Sequence, residues 1–227
     1  MKNLLLLFFS FFLLGNLIAQ GSVRDFLLGG TARVIDEECI QLTPDMPYVS
    51  GSAWYEDAID LSKPFEMVIC LVLGEKDREG ADGIVFVFHP AMRTGYRGEG
   101  MGFAGLVPSL GIEFDTYQNF HLGDPEPDHL AIMPNGRPHH ALSMLGPIHL
   151  PNLEDGARHS LRILWDPEIT QLEIYLDGEL RGYSQVDIVN QIFSSNPSVY
   201  WGATAATGRL SNLQAICIKK LVYAAVE

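Results

Sequence analysis

The amino-acid sequence predicts an all-β protein whose strands form an antiparallel β-sandwich or jelly roll. Short runs rich in β-branched and aromatic residues recur along the chain, as in "HSLRILWD" and "LQAICIKKLVY". Clusters of Gly, Pro, Asn and Asp such as "PNGRP" and "GDPEP" separate these runs and are typical of turns. Helical periodicity is nearly lacking, and only residues 186–193 are predicted to form a short helix.

Several strands can be assigned individually. Residues 31–43 are rich in β-branched residues and predict one strand. The segment "PFEMVICLVLG" alternates from Phe65 onward, which predicts one face in the core. In contrast, "GIVFVFHP" is apolar throughout, so both of its faces should be covered. A tight turn is predicted at Asp177-Gly178. The tryptophans lie in strand-like runs and are predicted core residues: Trp54, Trp165 and Trp201.

The first 19 residues are predicted to be a secretory signal peptide. A basic start at Lys2 precedes an apolar run that is too short for a resident membrane helix, and Ala19 offers a small residue for cleavage. The remaining residues, 20–227, are predicted to form a single β-sandwich domain. We therefore expect a secreted protein, extracellular or periplasmic, without a membrane span.

The net charge and the cysteines restrict the function further. A formal charge of −13 disfavours nucleic acid and anionic membranes as partners, and it suits carboxylates that hold cations. An oxidising compartment permits one disulfide among the three cysteines. Two interpretations remain open: a bridge between Cys39 and Cys217, which lie near the chain ends, or three buried thiols. Cys70 is predicted to lie in the core.

The segment "GIEFDTYQNFHLGDPEPDHLAI", residues 111–132, gathers five acidic residues, two His, an Asn and a Tyr. On a strand, Glu113 and Asp115 share one face with Tyr117, and Phe114 points the other way into the core. The carboxylates would repel each other unless a cation lies among them. The alternative is an acidic turn with solvated side chains.

The rest of the same segment supplies further ligands. A loop containing Asn119 and Asp124 leads back to a second strand at His129, so these side chains can return over the carboxylates. Carboxylates with an imidazole suit a transition metal such as Mn²⁺. Carboxylates with an amide oxygen and a backbone carbonyl suit Ca²⁺.

This spacing resembles the metal-binding signature of the L-type lectins, the legume-lectin family, in which E-x-D-x-[Y/F]-x-N is followed by D-P and then H. The positions that match are Asp115, Tyr117, Asn119, Asp124-Pro125 and His129. Other segments are similar to family segments in the same order, among them "GADGIVFVFHP", "RHSLRILWD" and "VYWGATAATG". The resemblance covers nearly all of the mature chain and implies a concanavalin A-like sandwich in a secreted, bacterial-type, single-domain member.

The resemblance implies two metal sites, one for Ca²⁺ and one for Mn²⁺ or another transition metal. The implied manganese-type ligands are Glu113, Asp115, Asp124 and His129. The implied calcium ligands are Asp115, the Tyr117 carbonyl, Asn119 and Asp124. In the family these ions perform no chemistry. They fix a loop and a cis peptide before the sugar-binding Asp, which here would be Ala81–Asp82. Glu126 and Asp128 have no assigned counterpart.

The resemblance also implies a carbohydrate site. The Asp82 carboxylate would accept sugar hydroxyls, and Asn119 would bind calcium and sugar together. The glycine loop "GEGMGFAGL" would offer a backbone amide from Glu99 or Gly100, with Glu99 standing where a glycine is usual. The variable loop after "AATG" would contribute Gly208, Arg209 and Leu210. Phe120 is either a stacking platform or a core residue.

Three functions are compatible with these residues. The favoured one is a non-catalytic, metal-dependent lectin that binds an oligosaccharide, polysaccharide or glycoprotein and dimerises through its back sheet. A jelly-roll glycoside hydrolase and a structural or adhesive domain without sugar binding are the alternatives. The pair His139-His140 is expected to lie outside the metal site, because adjacent residues on a strand point in opposite directions.

Overall fold

The computed structural model describes residues 18–19, 21–126 and 128–224. Within these residues the chain forms sixteen strands and one short α-helix, Ile188–Gln191. The strands are β1 (Ile18–Ala19), β2 (Phe26–Gly30), β3 (Arg33–Val34), β4 (Cys39–Thr43), β5 (Ser50–Tyr55), β6 (Ile59–Asp60), β7 (Phe65–Val72), β8 (Gly83–His89), β9 (Leu110–Asp115), β10 (His129–Pro134), β11 (Leu145–His149), β12 (His159–Asp166), β13 (Gln171–Leu176), β14 (Glu179–Gln185), β15 (Ser198–Ala206) and β16 (Gln214–Tyr223). Single 3₁₀ turns span Val23–Asp25, Gly98–Gly100, Phe120–Leu122 and His140–Leu142.

The predicted signal peptide, residues 1–19, lies outside the described residues except for β1, which pairs with β16. In the described part of the chain, no helix is long and apolar enough to cross a membrane.

Two antiparallel sheets form the predicted sandwich. The back sheet has the order β14-β13-β12-β7-β16-β4-β3, and β1 joins it beside β16. The front sheet has the order β11-β10-β9-β8-β15-β5-β2, and β6 joins it beside β15. Neighbours in space are mostly distant in sequence, as β15 shows by pairing with both β5 and β8. The β-sandwich expectation is therefore confirmed.

The core lies between the sheets, and its pattern follows the sequence. Every second residue of β7, beginning with Phe65, packs into the main core, as its alternation predicts. All residues of β8 are buried. Phe86 faces the other sheet, whereas Val85 and Val87 pack against Phe103 in a second apolar cluster. The glycine loop therefore covers the outer face of β8. Both faces of β8 are apolar for that reason.

The three tryptophans are buried, as predicted, with 1–3% of each residue exposed. Asp177 and Gly178 form the predicted tight turn between β13 and β14, with φ values of 52° and 82°. The expectation of one strand over residues 31–43 is wrong. The Asp36 carboxylate accepts hydrogen bonds from the amides of Glu38 and Cys39 at 2.8 and 2.7 Å, which folds the segment into a turn between β3 and β4.

Cys39 and Cys217 form a disulfide between β4 and β16, where the two residues lie directly opposite. The alternative of three thiols is therefore wrong. Cys70 lies on the other side of Cys217, on β7, and remains a buried free thiol. The disulfide links two neighbouring strands of the back sheet, and its cysteines are 178 positions apart in the sequence.

Asn212 anchors the loop that follows β15. It is 3% exposed, and its side-chain amide donates to Glu154 Oε1 at 2.7 Å. Its Oδ1 accepts from the Glu75 amide at 3.3 Å, and its carbonyl accepts from the Thr43 hydroxyl at 3.3 Å. Asn212 thus connects its own loop to the loops of Glu75 and Glu154 and to the end of β4, so buried polar contacts hold residues 207–213 in place.

Glu154 provides a pH-dependent test of this anchor. Burial raises the pKa of its carboxyl from 4.5 to about 8, so the folded chain keeps a proton that the unfolded chain releases. The contribution of Glu154 to wild-type stability therefore declines between those pH values. We predict that Glu154→Gln matches the wild type near pH 4 and becomes progressively more stable relative to it up to about pH 8.

Urea unfolding at several pH values measures this difference. Glu168→Gln, at an exposed carboxyl in the β12–β13 turn, is the control and should show no such trend. A stability difference between Glu154→Gln and the wild type that does not change with pH would contradict the raised pKa of Glu154.

Candidate metal centre and adjoining cavity

Strand β9 positions the carboxylates at one end of the front sheet. Asp115 lies opposite His129 of β10 on one side and opposite Gly83 of β8 on the other. Phe114 is fully buried in the main core, and the alternating face carries Glu113 and Asp115, as predicted. These two residues are only 1% and 2% exposed. The loop between β9 and β10 therefore covers them.

The loop is folded by its own carboxylates. Asp115 Oδ1 accepts from the Tyr117 amide at 2.8 Å, and Asp124 Oδ2 accepts from the Asn119 amide at 2.7 Å. The Gln118 side chain donates to the Asp124 carbonyl at 3.3 Å. These contacts bring Asp124 back over the strand ends, as the strand-loop-strand pattern predicts.

Two sets of ligand atoms converge at this point. The carboxylates of Asp115 and Asp124 lie with a His129 ring nitrogen within 4.8 Å of one another. A second set, under the same limit, joins Glu113 and His129 with His140. All four residues of the predicted manganese-type set are thus brought together. Within the described residues, the Glu113 Oε2 atom has no hydrogen-bond partner although it is buried.

The predicted calcium set adds Tyr117 and Asn119. The buried Asn119 Oδ1 has no hydrogen-bond partner in the described ranges, although the backbone amide of the same residue is bonded to Asp124. Carbonyl-type and carboxylate oxygens are the ligands that Ca²⁺ takes. The residues therefore fit an oxygen-ligated cation beside a mixed oxygen and imidazole site.

The electrostatics of the cluster favour a cation. Burial raises the pKa of the Glu113 carboxyl, and the nearby Asp124 raises it further. Burial raises the pKa of Asp115 well above its usual range, and Glu113 and Asp124 add to this effect. Three buried carboxylates cannot all ionise next to one another without compensation. A bound divalent cation would supply it, because metal binding requires deprotonated ligands.

The expectation for His139 and His140 is wrong for one of the two residues. His139 is exposed, and its Nδ1 accepts from the Ala141 amide at 3.2 Å. His140 is buried, with its Nε2 2.9 Å from His129 Nε2 and 3.1 Å from Asp124 Oδ1. The pair does not lie on a strand, since a 3₁₀ turn begins at His140 and turns it inward. In the sequence, only the Gly-containing turn that precedes the pair indicates that His140 can point inward.

A cavity of about 200 Å³ opens beside these candidate metal ligands. Six of the eight predicted sugar-site residues line it, together with Ala81 and Tyr117. These six are Asp82, Glu99, Asn119, Gly208, Arg209 and Leu210. Gly100 and Phe120 are outside the lining. The amide of Gly100 donates to the Arg97 carbonyl at 3.2 Å, so of the two residues only Glu99 faces the cavity.

Asp82 lies at the base of the cavity. Its peptide bond to Ala81 is cis, as the resemblance implies, and its carbonyl accepts from the Thr116 amide at 2.9 Å. The residue is 4% exposed, and its Oδ2 has no hydrogen-bond partner in the part of the chain that the structure describes. Burial, with the charge of Glu99, raises the pKa of the carboxyl to about 7. Gly208 leaves the space before this carboxylate open, since a Cβ there would lie 3.7 Å from both oxygens.

Glu99 also lines the cavity. Its Oε2 accepts from the Asn119 side-chain amide at 3.4 Å and lies 3.1 Å from His121 Nε2. The carboxylate therefore engages the amide that the resemblance assigns to a sugar. A glutamate at a position where the family usually has glycine therefore adds a carboxylate to the cavity wall.

The remaining residues of the segment have separate positions. Phe120 is 80% exposed, so the core alternative for this ring is wrong. Asp128 is buried, and its Oδ2 accepts from the Leu153 amide at 2.6 Å, which ties the start of β10 to a neighbouring loop. Glu126 is exposed.

Comparison with known proteins identifies the family. The profile of the legume lectin beta-barrel domain matches residues 20–220, and the chain belongs to the L-type lectin family. Among curated relatives, the pesticidal crystal protein Cry22Aa of Bacillus thuringiensis is 30% identical over 155 residues, 58% of this chain. The putative L-type lectin-domain containing receptor kinase I.10 of Arabidopsis thaliana is 28% identical over 126 residues, 49% of this chain. The matches span about a fifth of the length of these relatives, 21% and 20%.

Solved lectin structures share the fold. A lectin from Bauhinia forficata in complex with GalNAc superposes with a TM-score of 0.78 at 18% identity, covering 93% of this chain and all of that one. Peanut lectin gives a TM-score of 0.76 at 19% identity over 94% of this chain and all of that one. The exoplasmic/lumenal domain of VIP36, bound to Ca²⁺ and Man3GlcNAc, gives 0.70 at 20% identity over 92% of this chain and 87% of that one. The concanavalin A-like sandwich expected from the sequence is confirmed.

Metal removal tests the cluster directly. We predict that a chelator lowers the Tm of the purified protein by about 5–10 °C and that Ca²⁺ with Mn²⁺ restores it. A ligand at about 100 times its Kd contributes about 2.7 kcal/mol to the folded state, which corresponds to that shift for a domain of this size.

Two variants in the same loop make the test specific. Asp124→Asn removes a buried ligand and should abolish the response, whereas Glu126→Gln, at an exposed carboxyl, should preserve it. Differential scanning calorimetry gives all the Tm values. A wild-type Tm that is identical with and without chelator would contradict a structural role for bound cations.

Proposed function

We propose that this protein is a non-catalytic, metal-dependent lectin that binds carbohydrate in the cavity beside the metal cluster. The observation that carries the proposal is the Asp82 carboxylate. It is buried at the base of a cavity, beside a buried set of metal-ligating side chains. A buried carboxylate oxygen without a partner among the described residues needs a donor, and sugar hydroxyls are donors of suitable size.

The proposed roles follow from the contacts. When bound, Ca²⁺ and a transition ion would neutralise the three carboxylates and keep the loop in place. Asp82 accepts hydrogen bonds from two sugar hydroxyls, and the Asn119 side-chain amide donates one. Arg209 and Leu210, held in place by the buried Asn212 contacts, border the other side of the sugar. Phe120, exposed one residue beyond Asn119, offers a ring to a longer ligand.

Glu99 restricts the ligand class. Two carboxylates, Asp82 and Glu99, line one small cavity, so acidic sugars would meet like charge. The Asn119 side-chain amide already donates one hydrogen to Glu99, which leaves its second N–H for a sugar hydroxyl. The ligand that suits this cavity is a neutral or basic sugar within an oligosaccharide, polysaccharide or glycoprotein.

The glycosidase alternative receives less support from the geometry. Glycoside hydrolysis requires two carboxyl groups on either side of the scissile bond. The carboxylate pair on β9, Glu113 and Asp115, is buried and outside the cavity lining. Because Asp82 and Glu99 do line the cavity, release of reducing sugar is measured alongside binding in the experiment below.

The proposed setting is extracellular or periplasmic, and the assembly is a homodimer through the back sheet. The Cys39–Cys217 disulfide supports an oxidising compartment.

The outward face of the back sheet carries Glu66 in ion pairs with Arg162, at 2.7 Å, and with Lys220. Light scattering at micromolar concentration tests the assembly, and a monomer there would exclude the dimer.

A glycan array with the purified protein tests the proposed function. We predict binding to neutral or basic glycans in Ca²⁺ and Mn²⁺, and loss of binding in a chelator. Asp82→Asn should weaken binding about 100-fold, because hydrogen bonds to a charged group contribute about 1.5–3 kcal/mol each. Asp77→Asn, an exposed aspartate in the preceding loop, is the matched control and should bind as the wild type does.

Each other outcome has a definite meaning. Binding that survives both the chelator and Asp82→Asn would place the site elsewhere on the sandwich. A folded, metal-loaded protein that binds no glycan would favour the structural or adhesive domain. Release of reducing sugar that is lost in Asp82→Asn would support the glycoside hydrolase.

A further inference from the structure

We propose that His140 is a metal ligand through its Nε2, so that the transition-metal site contains two imidazoles and prefers Zn²⁺ to Mn²⁺. This inference rests on the proposed metal-dependent function and specifies which ion the site selects. It concerns a residue that the signature in 111–132 does not contain.

The position of the ring supports a ligand role. The His140 side chain is 3% exposed, and its Nε2 lies 2.9 Å from His129 Nε2, 3.1 Å from Asp124 Oδ1 and 3.8 Å from Glu113 Oε2. Atoms bound to one ion at about 2.1 Å are separated by about 3.0 to 3.4 Å from their neighbours. The three distances scatter around that range, so a single ion can be shared by the four side chains.

The orphaned Glu113 oxygen is an independent observation. Among the described residues, Glu113 Oε2 has no hydrogen-bond partner, although its side chain is only 2% exposed. The distance of 3.8 Å to His140 Nε2 is too long for a hydrogen bond. A buried carboxylate oxygen directed toward an imidazole nitrogen at this separation is explained by an ion between them.

The backbone fixes this arrangement. The Ser143 amide donates to the His140 carbonyl at 3.1 Å, and the Ser143 hydroxyl hydrogen is shared between the carbonyls of His140 and Gly146, at 2.8 and 3.0 Å. The Met144 amide donates to the Ile132 carbonyl of β10 at 2.8 Å. The turn that carries His140 is therefore attached to the strand that carries His129, so the two rings are held face to edge with centroids 4.9 Å apart.

The second imidazole changes the preferred ion. Carboxylate and carbonyl oxygens suit Mn²⁺, whereas imidazole suits Zn²⁺, Ni²⁺ and Cu²⁺. Adding a nitrogen ligand to a set that holds one imidazole and carboxylates strengthens binding of the later ions far more than binding of Mn²⁺. The competing explanation is a hydrogen bond from His140 to Asp124 that stabilises the loop without touching an ion.

Three variants separate these explanations. His140→Asn removes Nε2. His139→Asn makes the same change at the adjacent exposed residue and keeps an acceptor for the Ala141 amide. His140→Gln keeps a donor near Asp124 and supplies no imidazole. We predict that His140→Asn and His140→Gln both lower the ratio of Zn²⁺ to Mn²⁺ affinity by about 100-fold and that His139→Asn leaves it unchanged.

The affinities are measured by competition dialysis of Zn²⁺ against Mn²⁺ in excess Ca²⁺, with metal content read by mass spectrometry. X-ray absorption at the zinc edge counts the imidazoles. We expect two in the wild type and in His139→Asn, and one in either His140 variant.

The outcomes distinguish this inference from the proposed function. One imidazole in the wild type, or a His140→Gln variant with wild-type selectivity, would overturn the inference while glycan binding stays metal-dependent. A protein that binds none of these ions would overturn both.

Discussion

The mutual repulsion of three buried carboxylates is the constraint on which the functional end of this protein depends. Glu113, Asp115 and Asp124 lie together with at most 7% of any of them exposed, and burial and their shared charge raise the pKa values of Glu113 and Asp115. Apolar packing elsewhere in the sandwich does not reduce this repulsion. A bound cation would neutralise it, and the loop over the carboxylates takes its shape from the same side chains that would bind the cation.

The sheet pairing relates this cluster to the cavity. Strand β9 is hydrogen-bonded to β10 on one side, where His129 faces Asp115, and to β8 on the other, where Gly83 faces it. Asp82 precedes Gly83, and its carbonyl is bonded to the Thr116 amide just beyond the last carboxylate of β9. Displacement of the β9 end would therefore move Asp82 as well. The proposed cation and sugar sites therefore share one structural support.

Much of the fold and the grouping of most candidate site residues could be predicted from the sequence because they depend on local periodicity and fixed spacing. The alternation along β7, the doubly apolar β8 and the register from Asp115 to His129 are signals of that kind. His140 could not be predicted, because its inward direction depends on a 3₁₀ turn packed against β10. The turn at Asp36 escapes prediction for a similar reason, since one side chain there outweighs strand propensity. The Glu99 contact with Asn119 joins residues 20 positions apart across two loops, which periodicity does not encode.

The dependence of the sugar site on bound cations is tested most directly by a crystal structure of the protein with its cations and a glycan chosen from the array. Data collected at wavelengths that give anomalous signals for the metals would locate the ions. We predict anomalous peaks among Asp115, Asp124 and His129, with a sugar whose hydroxyls are bonded to Asp82 and Asn119. A glycan bound on another face, or bound at Asp82 with no cation among the carboxylates, would contradict this dependence.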